Sequence, residues 1–566
     1  MKTIQMNDYG LNSANNYNFV FMDIKPLYLL LLAVIGGTVM GISFPFTGGL
    51  FPLAFVAFVP LIVINLELNK KKRGGFFKRF AYNYLYFIIF NSITTWWIYN
   101  ASEGGMYMAI FCNSLLMTSP FFLFGFIGRQ LGENKGLLAL VVLWIGFEYC
   151  HYIWELSWPW LSFGHIFGEY PWLIQWYEYS GVTGGTLWIL LVNIGVYFVV
   201  RNVKIRKETV RIQAPLFLFL GLVIFIPVLS SVIIYTSYEE TEDPVNIVVV
   251  QPNLDPYGEK FIMPLPDQLD IMFELAESKV DENTDLIVCP ETAISRRVNE
   301  ANLEEEPNMI LIKEWLRSNH NVNLLIGADS YKFFREENSL ASNYNESINA
   351  YVENYNAAFL IDPNRPTQIY HKAKPVLGAE KVPFLSWFPS LKEYSVELGG
   401  TSGMIGLGEE PMNMKSGDYL YAPLICYESV YGDYVSYFTA RGADIICVVT
   451  NDGWWDDTPG YKQHRMFSQI RAIENRRSVA RSANTGISCF IDQRGTIISE
   501  LGWNERGALQ ANLNRNTEIT FFVRYGDVLG RISLFLIIAL FIYAVTTYAK
   551  TTGLAEKAHL TRKQNN

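Results

Sequence analysis

Cys426 stands at the end of an apolar run, Ala422 to Ile425, and is followed at once by Tyr427 and Glu428. A strand that ends in a thiol and then a carboxylate has the look of an exposed nucleophile. A thiol becomes one only when a base takes its proton. A second apolar run, Leu286-Ile287-Val288-Cys289-Pro290-Glu291-Thr292, delivers such a carboxylate just past a proline. A carbonyl under attack gathers negative charge and needs fixed positive donors. The segment Tyr370-His371-Lys372-Ala373-Lys374, with Glu380 and Val382-Pro383-Phe384 after it, supplies an ammonium. Glu291 is then the proton acceptor. Lys372 and the backbone N–H after Cys426 stabilise the oxyanion, and Glu291 later returns its proton to the leaving group. Taken singly, each segment also reads as ordinary structure: a packed thiol, a solvated carboxylate, a basic turn. Lys374 is expected to be a solvated neighbour, and Glu428 has a plainer reading as an ion-pair partner that fixes Lys372.

These groups must be held by strands. Short β-branched runs such as Ile247 to Val250, Leu286 to Val288 and Ile445 to Val449 alternate with polar, helix-like segments such as Asp267 to Ser278 and Gln463 to Arg477. That alternation is the pattern of an α/β domain with buried strands. The composition of the whole chain does not fit such a domain alone. Of its 566 residues only 17% are charged, against roughly 25% in an ordinary soluble protein. The abundance of apolar residues excludes disorder, and a net charge of −9 excludes a nucleic-acid binder, which would normally be basic.

The missing charge is localised. Eight runs of about 16 to 22 residues are long enough to cross a bilayer as helices. Seven precede residue 240, at 26–44, 50–66, 80–99, 107–128, 136–153, 185–200 and 214–235; the eighth is 531–549. Lys70, Lys71, Lys72, Arg73, Lys78 and Arg79 fall in one inter-span loop. Arg201, Lys204, Arg206, Lys207 and Arg211 fall in another, and Lys550, Lys557, Arg562 and Lys563 in the tail. The loops 45–49, 100–106 and 154–184 contain neither Lys nor Arg. By the positive-inside rule both termini are cytoplasmic and the large inter-span domain lies outside. The first run is too long for a signal-peptide core and lacks a small-residue cleavage site, so it is expected to remain as an anchor. The expected organisation is a cytoplasmic segment 1–25, a seven-span domain 26–235, an extracytoplasmic domain 236–530, a C-terminal span 531–549 and a cytoplasmic tail 550–566.

The loop 154–184 carries Trp154, Trp158, Trp160, Trp172, Trp176, Tyr177 and Tyr179. It reads either as an ordinary interfacial belt or as a mouth through which lipid reaches the site. Cys112 and Cys150 fall in spans. Cys289, Cys447 and Cys489 sit in or beside apolar runs as buried free thiols, without a zinc spacing. An extracytoplasmic setting would permit disulfides, but the sequence pairs none.

The order of Glu, Lys and Cys resembles the nitrilase (carbon–nitrogen hydrolase) superfamily, and more closely its membrane branch, the apolipoprotein N-acyltransferases. The resemblance covers nearly the whole chain. It is carried by Val250-Gln251-Pro252-Asn253, the Glu291 and Lys372 segments, Ile425-Cys426-Tyr427-Glu428 and Asn451-Asp452-Gly453-Trp454-Trp455. Gln463-His464, Arg471-Ala472-Ile473-Glu474, Asn484-Thr485-Gly486-Ile487-Ser488 and Trp158-Pro159-Trp160-Leu161-Ser162-Phe163-Gly164 add to it. It implies a multi-pass helical membrane bundle with an extracytoplasmic nitrilase-like αββα sandwich, in a bacterial inner membrane, acting as a monomer without cofactor or metal. It implies catalysis by Glu291, Lys372 and Cys426, supported by Glu380, Tyr427 and Glu428. Trp160, Phe261, Trp387, Phe388 and Trp454 are the substrate-binding candidates. The chain departs from the family where Cys289 replaces a tryptophan and where the lysine segment continues Pro375-Val376-Leu377-Gly378-Ala379-Glu380.

What the resemblance implies is acyl transfer. Cys426 takes an acyl chain from a membrane phospholipid as a thioester, and the α-amine of the diacylglyceryl-cysteine of an apolipoprotein accepts it. The sequence carries no P-loop and no metal-ligand spacing, and this route needs neither. The apolar stretch Pro383 to Phe388 is expected to dip into the bilayer and gate lipid access. A membrane-anchored amidase that uses water as acceptor is the alternative enzyme. A scaffold or transporter is disfavoured by the intact trio and by the scarcity of ionisable residues within the spans.

Overall fold

The computed structural model describes residues 24–70, 75–204, 209, 211–388, 390, 404–551 and 553. Most of the expected N-terminal segment and tail, including Lys557, Arg562 and Lys563, lies outside the described residues, as do Lys71, Lys72, Arg73, Arg206 and Lys207.

Among the described residues, seven helices are long and apolar enough to cross a membrane: Pro26–Ser43, Phe51–Asn69, Glu103–Leu131, Glu133–Ile153, Tyr177–Val203, Ala214–Ser237 and Val528–Lys550. The remaining expected span, 80–99, falls mostly on the 21-residue helix Gly75–Thr95. Its Tyr82, Asn83, Tyr84, Tyr86 and Asn91 make it more polar than the others, yet it is clasped inside the bundle. Asn83 and Asn65 exchange side-chain hydrogen bonds at 2.8 and 3.2 Å, and the Tyr86 hydroxyl donates to Ala57 O at 2.9 Å. Pro26–Ser43 reaches this helix through Gly37, where a Cβ would meet Tyr86 O at 2.5 Å. Small residues allow such close backbone approach between membrane helices. The outermost helices, Ala214–Ser237 and Val528–Lys550, turn most of their surface outward, with 11% and 17% of their apolar windows buried. The chain forms a multi-pass membrane bundle.

The segment between the last two spans folds as two stacked sheets. The first runs Gly507–Asn514, Pro244–Gln251, Leu286–Val288, Asn323–Phe334, Ala350–Ile361, Asn343–Asn345, with Ile294–Asn299 beside Asn323–Phe334 and Gln368–His371 beside Ala350–Ile361. The second runs Ile497–Leu501, Ser488–Ile491, Val479–Ala483, Ile445–Thr450, Tyr419–Ile425, Met414–Ser416. Strand alternation decides what each face meets. Val248 and Val250 pack with Leu269, Met272, Ile312 and Leu316, from helices Leu265–Glu277 and Pro307–Ser318. Val245, Ile247 and Val249 face the other way, into the core that holds the second sheet. Helices Gly432–Ala440 and Pro459–Asn475 cover that sheet. The result is an αββα sandwich of the nitrilase type. All six cysteines are free; Cys289, Cys447 and Cys489 are buried in apolar surroundings.

Candidate active site

Three strand ends converge. Cys426 follows the strand Tyr419–Ile425 and opens a short 3-10 turn, Cys426–Val430. Its φ of +51° lies in the left-handed region, which costs a non-glycine residue roughly 1–2 kcal/mol and persists only where the surroundings enforce it. Glu291 lies three residues past Leu286–Val288, and Lys372 immediately follows Gln368–His371. Lys372 N donates to Asn356 O at 2.9 Å, which extends the strand pairing by one residue. Lys372 is 1% exposed. Its Nζ donates to Glu380 Oε1 at 2.8 Å and reaches Glu291 Oε1 at 3.3 Å. Glu291 Oε2 accepts from Asn451 N–H at 3.1 Å.

The altered loop 375–380 still returns Glu380 to the lysine, because Glu380 Oε2 accepts the Val376 N–H at 2.7 Å and closes a compact turn. Glu428 does not pair with Lys372. Its Oε1 accepts from the Tyr370 hydroxyl at 2.7 Å, Ala373 N–H at 2.7 Å and Lys374 N–H at 3.3 Å; its Oε2 accepts from Ile425 N–H at 2.8 Å. This carboxylate therefore clamps the lysine segment to the strand Tyr419–Ile425 through backbone. Lys374 is half-buried, with Nζ 5.4 and 5.3 Å from the ring centroids of Tyr431 and Tyr434. It is thus less solvated than the sequence suggested.

Burial opposes a charge on Lys372, yet the Glu380 and Glu291 carboxylates hold its ammonium above the ordinary lysine range. Burial, then the Glu291 carboxylate, push the Cys426 thiol up, and Lys372 only partly offsets them. The resting group is a thiol. Glu428 is pushed up to about 7 by burial, against the donors that ring it.

Glu291, Lys372, Cys426, Glu380 and Tyr427 line one cavity of about 310 Å³. The wall is completed by Met108, Ala109, Cys112 and Leu116 of the membrane helix Glu103–Thr118 and by Ile98 of the short helix Ile98–Ala101. Trp158 and Trp160, from the aromatic loop, close it above Cys426. Cys426 is consequently 8% exposed, where the sequence suggested an open thiol.

The family model described as Carbon-nitrogen hydrolase matches residues 249–520, and that described as Apolipoprotein N-acyltransferase N-terminal domain matches residues 36–195. The apolipoprotein N-acyltransferase of Chlorobaculum tepidum is 31% identical over 521 residues, covering 90% of this chain and 95% of that protein. The chain belongs to the apolipoprotein N-acyltransferase family. Apolipoprotein N-acyltransferase 1 of Treponema denticola is 26% identical over 535 residues, covering 90% of this chain and 94% of its own. A solved amidase of the nitrilase superfamily from Nesterenkonia AN1 aligns with 52% of this chain and 99% of its own at 16% identity, with a TM-score of 0.36. As a member of the family, the chain is a multi-pass membrane acyltransferase of lipoprotein biosynthesis, with a nitrilase-like domain.

The remaining candidates divide. Trp160 is 1% exposed, stacked on Tyr427 (6.3 Å, 13°) and on His464 (5.8 Å, 27°), with Nε1–H donating to Gln463 Oε1 at 2.8 Å. Trp454 lines the cavity, and Phe261 stacks behind it at 6.4 Å and 22° without being part of the wall. Trp387 and Phe388 are 77% and 57% exposed, on a turn where both N–H groups donate to Phe384 O at 3.0 Å; they stand outside the cavity wall.

Sequence reasoning missed Asn356 and Lys260. Asn356 sits where the strand Ala350–Ile361 turns fully apolar, and its Nδ2 donates to Glu291 Oε1 at 2.8 Å and Glu380 Oε1 at 3.2 Å. Asn356 precedes its apolar run, Ala357 to Ile361, whereas Glu291 follows one, so the pattern that singled out Glu291 did not reach it. Lys260 is 1% exposed and donates to Glu291 O at 2.8 Å and Thr292 Oγ1 at 2.6 Å, fixing the turn that carries Glu291. Burial brings it down to about 8.

Proposed function

We propose that Cys426 carries an acyl chain from a membrane phospholipid to the α-amine of a diacylglyceryl-cysteine. Glu291 takes the thiol proton as Sγ bonds to the ester carbonyl carbon. Lys372 and the Tyr427 N–H stabilise the oxyanion. The C–O bond breaks, Glu291 returns the proton to the departing lysophospholipid, and a thioester remains. The lipoprotein amine then attacks the thioester and passes a proton to Glu291. The C–S bond breaks and Cys426 leaves as a thiol with that proton, giving an amide.

One observation carries this reading. The cavity that joins Cys426, Glu291 and Lys372 is walled on its far side by membrane helix residues, so an acyl chain in the bilayer has a continuous apolar path to the thiol. The same wall disfavours water as acceptor. The absence of Lys and Arg from loops 45–49, 100–106 and 154–184 supports a periplasmic sandwich with both termini cytoplasmic in a bacterial inner membrane. All the groups of the mechanism come from one chain, which supports action as a monomer. The exposed Trp387 and Phe388 support a turn that dips into the headgroup region beside the site.

The test incubates purified protein with phospholipid and compares wild type with Cys426→Ala. A hydroxylamine-sensitive acyl adduct is expected on wild type alone, and a diacylated peptide with a free N-terminal cysteine amine should discharge it as N-acyl peptide. An adduct on Cys426→Ala ends the nucleophile assignment; release only as free fatty acid establishes the amidase-type alternative.

A further inference from the structure

His464 lies behind the nucleophile, away from the cavity wall. It is fully buried on the helix Pro459–Asn475. Its Nδ1 is 2.7 Å from Asp452 Oδ1, and its Nε2 is 3.1 Å from the Cys426 carbonyl oxygen and 3.2 Å from Ser429 Oγ. Ser429 Oγ–H itself donates to the Cys426 carbonyl at 2.8 Å, so the hydroxyl proton is already placed and Nε2 carries its own. Asp452 is anchored in turn. Arg481 Nη2 donates to its Oδ2 at 2.6 Å and Thr450 Oγ1–H to its Oδ1 at 2.9 Å; Arg481 also lies 3.2 Å from Nδ1. A carbonyl oxygen can only accept, so His464 donates to it from Nε2.

The Cys426 carbonyl belongs to the same peptide unit as the Tyr427 N–H. In a planar trans peptide these two bonds point in opposite directions. Holding the carbonyl against His464 therefore sends the Tyr427 N–H away from the helix, to the side on which Cys426 and Tyr427 line the cavity. Two donors on the carbonyl also polarise the peptide and strengthen the N–H as a donor. They further explain how Cys426 is kept at a φ of +51°.

We propose that Asp452 and His464 are positioning residues that aim and polarise the Cys426–Tyr427 peptide as an oxyanion donor. Trp160 packs on the other face of His464 and on Tyr427. Through it, a loop of the membrane half braces the same peptide. The proposal rests on Cys426 being the nucleophile.

The test compares two reactions of Cys426 in the full-length protein. Thioester formation from phospholipid builds an oxyanion; alkylation by iodoacetamide does not. His464→Phe, which keeps the stacking surface, should slow thioester formation roughly 100-fold through kcat, with KM for phospholipid unchanged and alkylation within about 3-fold of wild type. His464→Gln, which keeps a donor amide, should recover part of the loss. If His464→Phe does not fold, Asp452→Asn carries the same comparison with a smaller loss. Unchanged thioester formation, or equal losses in both reactions, overturns the proposal. A folded wild type that forms no thioester removes the nucleophile reading instead.

Discussion

Asn356 donates through Nδ2 to Glu291 Oε1 at 2.8 Å. The same nitrogen reaches Glu380 Oε1 at 3.2 Å. Two carboxylates on one amide fix its orientation, since only the NH2 end can face them. Asn356→Asp replaces that donor with a third negative charge. It should slow thioester formation about 100-fold and move the acid limb of the pH–rate profile to higher pH, because like charges favour protonation of the base. Single-turnover acylation from about pH 5 to about pH 9 measures both effects. An unmoved acid limb would separate Asn356 from the base.

Glu380 holds Lys372 more closely than Glu291 does, at 2.8 against 3.3 Å. Glu380→Gln removes a charge that keeps the ammonium in place and throws the lysine onto Glu291. A base drawn into a tighter ion pair accepts a proton less readily. The expected result is a loss of about 10-fold in kcat for acylation at constant KM for phospholipid. A rise in KM at constant kcat would instead make Glu380 a substrate contact.

Glu428 predicts a pH dependence of stability. Its folded value of about 7 lies above the ordinary glutamate value of 4.5 because burial favours the neutral acid. The folded state therefore holds this proton more tightly than the unfolded state does. That stabilisation is complete below the unfolded value and fades as pH rises through about 7. Glu474, also pushed up to about 7 by burial, acts with the same sign. The melting temperature of the solubilised protein should fall between these limits by roughly 5 °C. In Glu428→Gln that slope should flatten, from a lower starting stability, because an amide cannot satisfy all four donors. An equally steep slope in the variant would assign the effect to Glu474 and its neighbours.

Trp387 and Phe388 are exposed beside a lipid-facing cavity, and such rings favour the headgroup layer. Trp387→Ser with Phe388→Ser should slow acylation by phospholipid in vesicles about 10-fold. It should leave acylation by a monomeric short-chain phospholipid unchanged. Equal rates on vesicles would remove the turn from lipid capture.

Much of this was legible because apolar strands and long apolar helices announce themselves by period and length. Glu291 and Cys426 each come just after such a run, and Lys372 was singled out beside them as the cation such a pair would need. Gly75–Thr95 was legible as a helix-length run although its asparagines and tyrosines, which pair inside the bundle, dilute its hydropathy. Asn356 was not legible, because its partners lie 65 and 24 residues away and a lone asparagine carries no periodic signal. Glu428 was read as an ion-pair partner, since a sequence shows charges but not the backbone N–H groups that compete for them. The buried stack of Trp160 on His464, two residues 304 positions apart in the chain, was hidden for the same reason; only its place in an aromatic loop was visible.

That stack has a consequence for how the chain can be divided. Trp160 comes from a loop between membrane helices, whereas Tyr427 and His464 come from the sandwich. Gln463 Nε2 adds a bond to Pro45 O at 3.1 Å, and Asn100 Nδ2 one to Trp455 O at 3.0 Å. A sandwich expressed alone would keep Glu291, Lys372 and Cys426 and lose one wall of their chamber. A chimaera that joined this bundle to a relative's sandwich would inherit a mismatched seam under its counterpart of Cys426. The two halves are therefore heritable only as a matched pair.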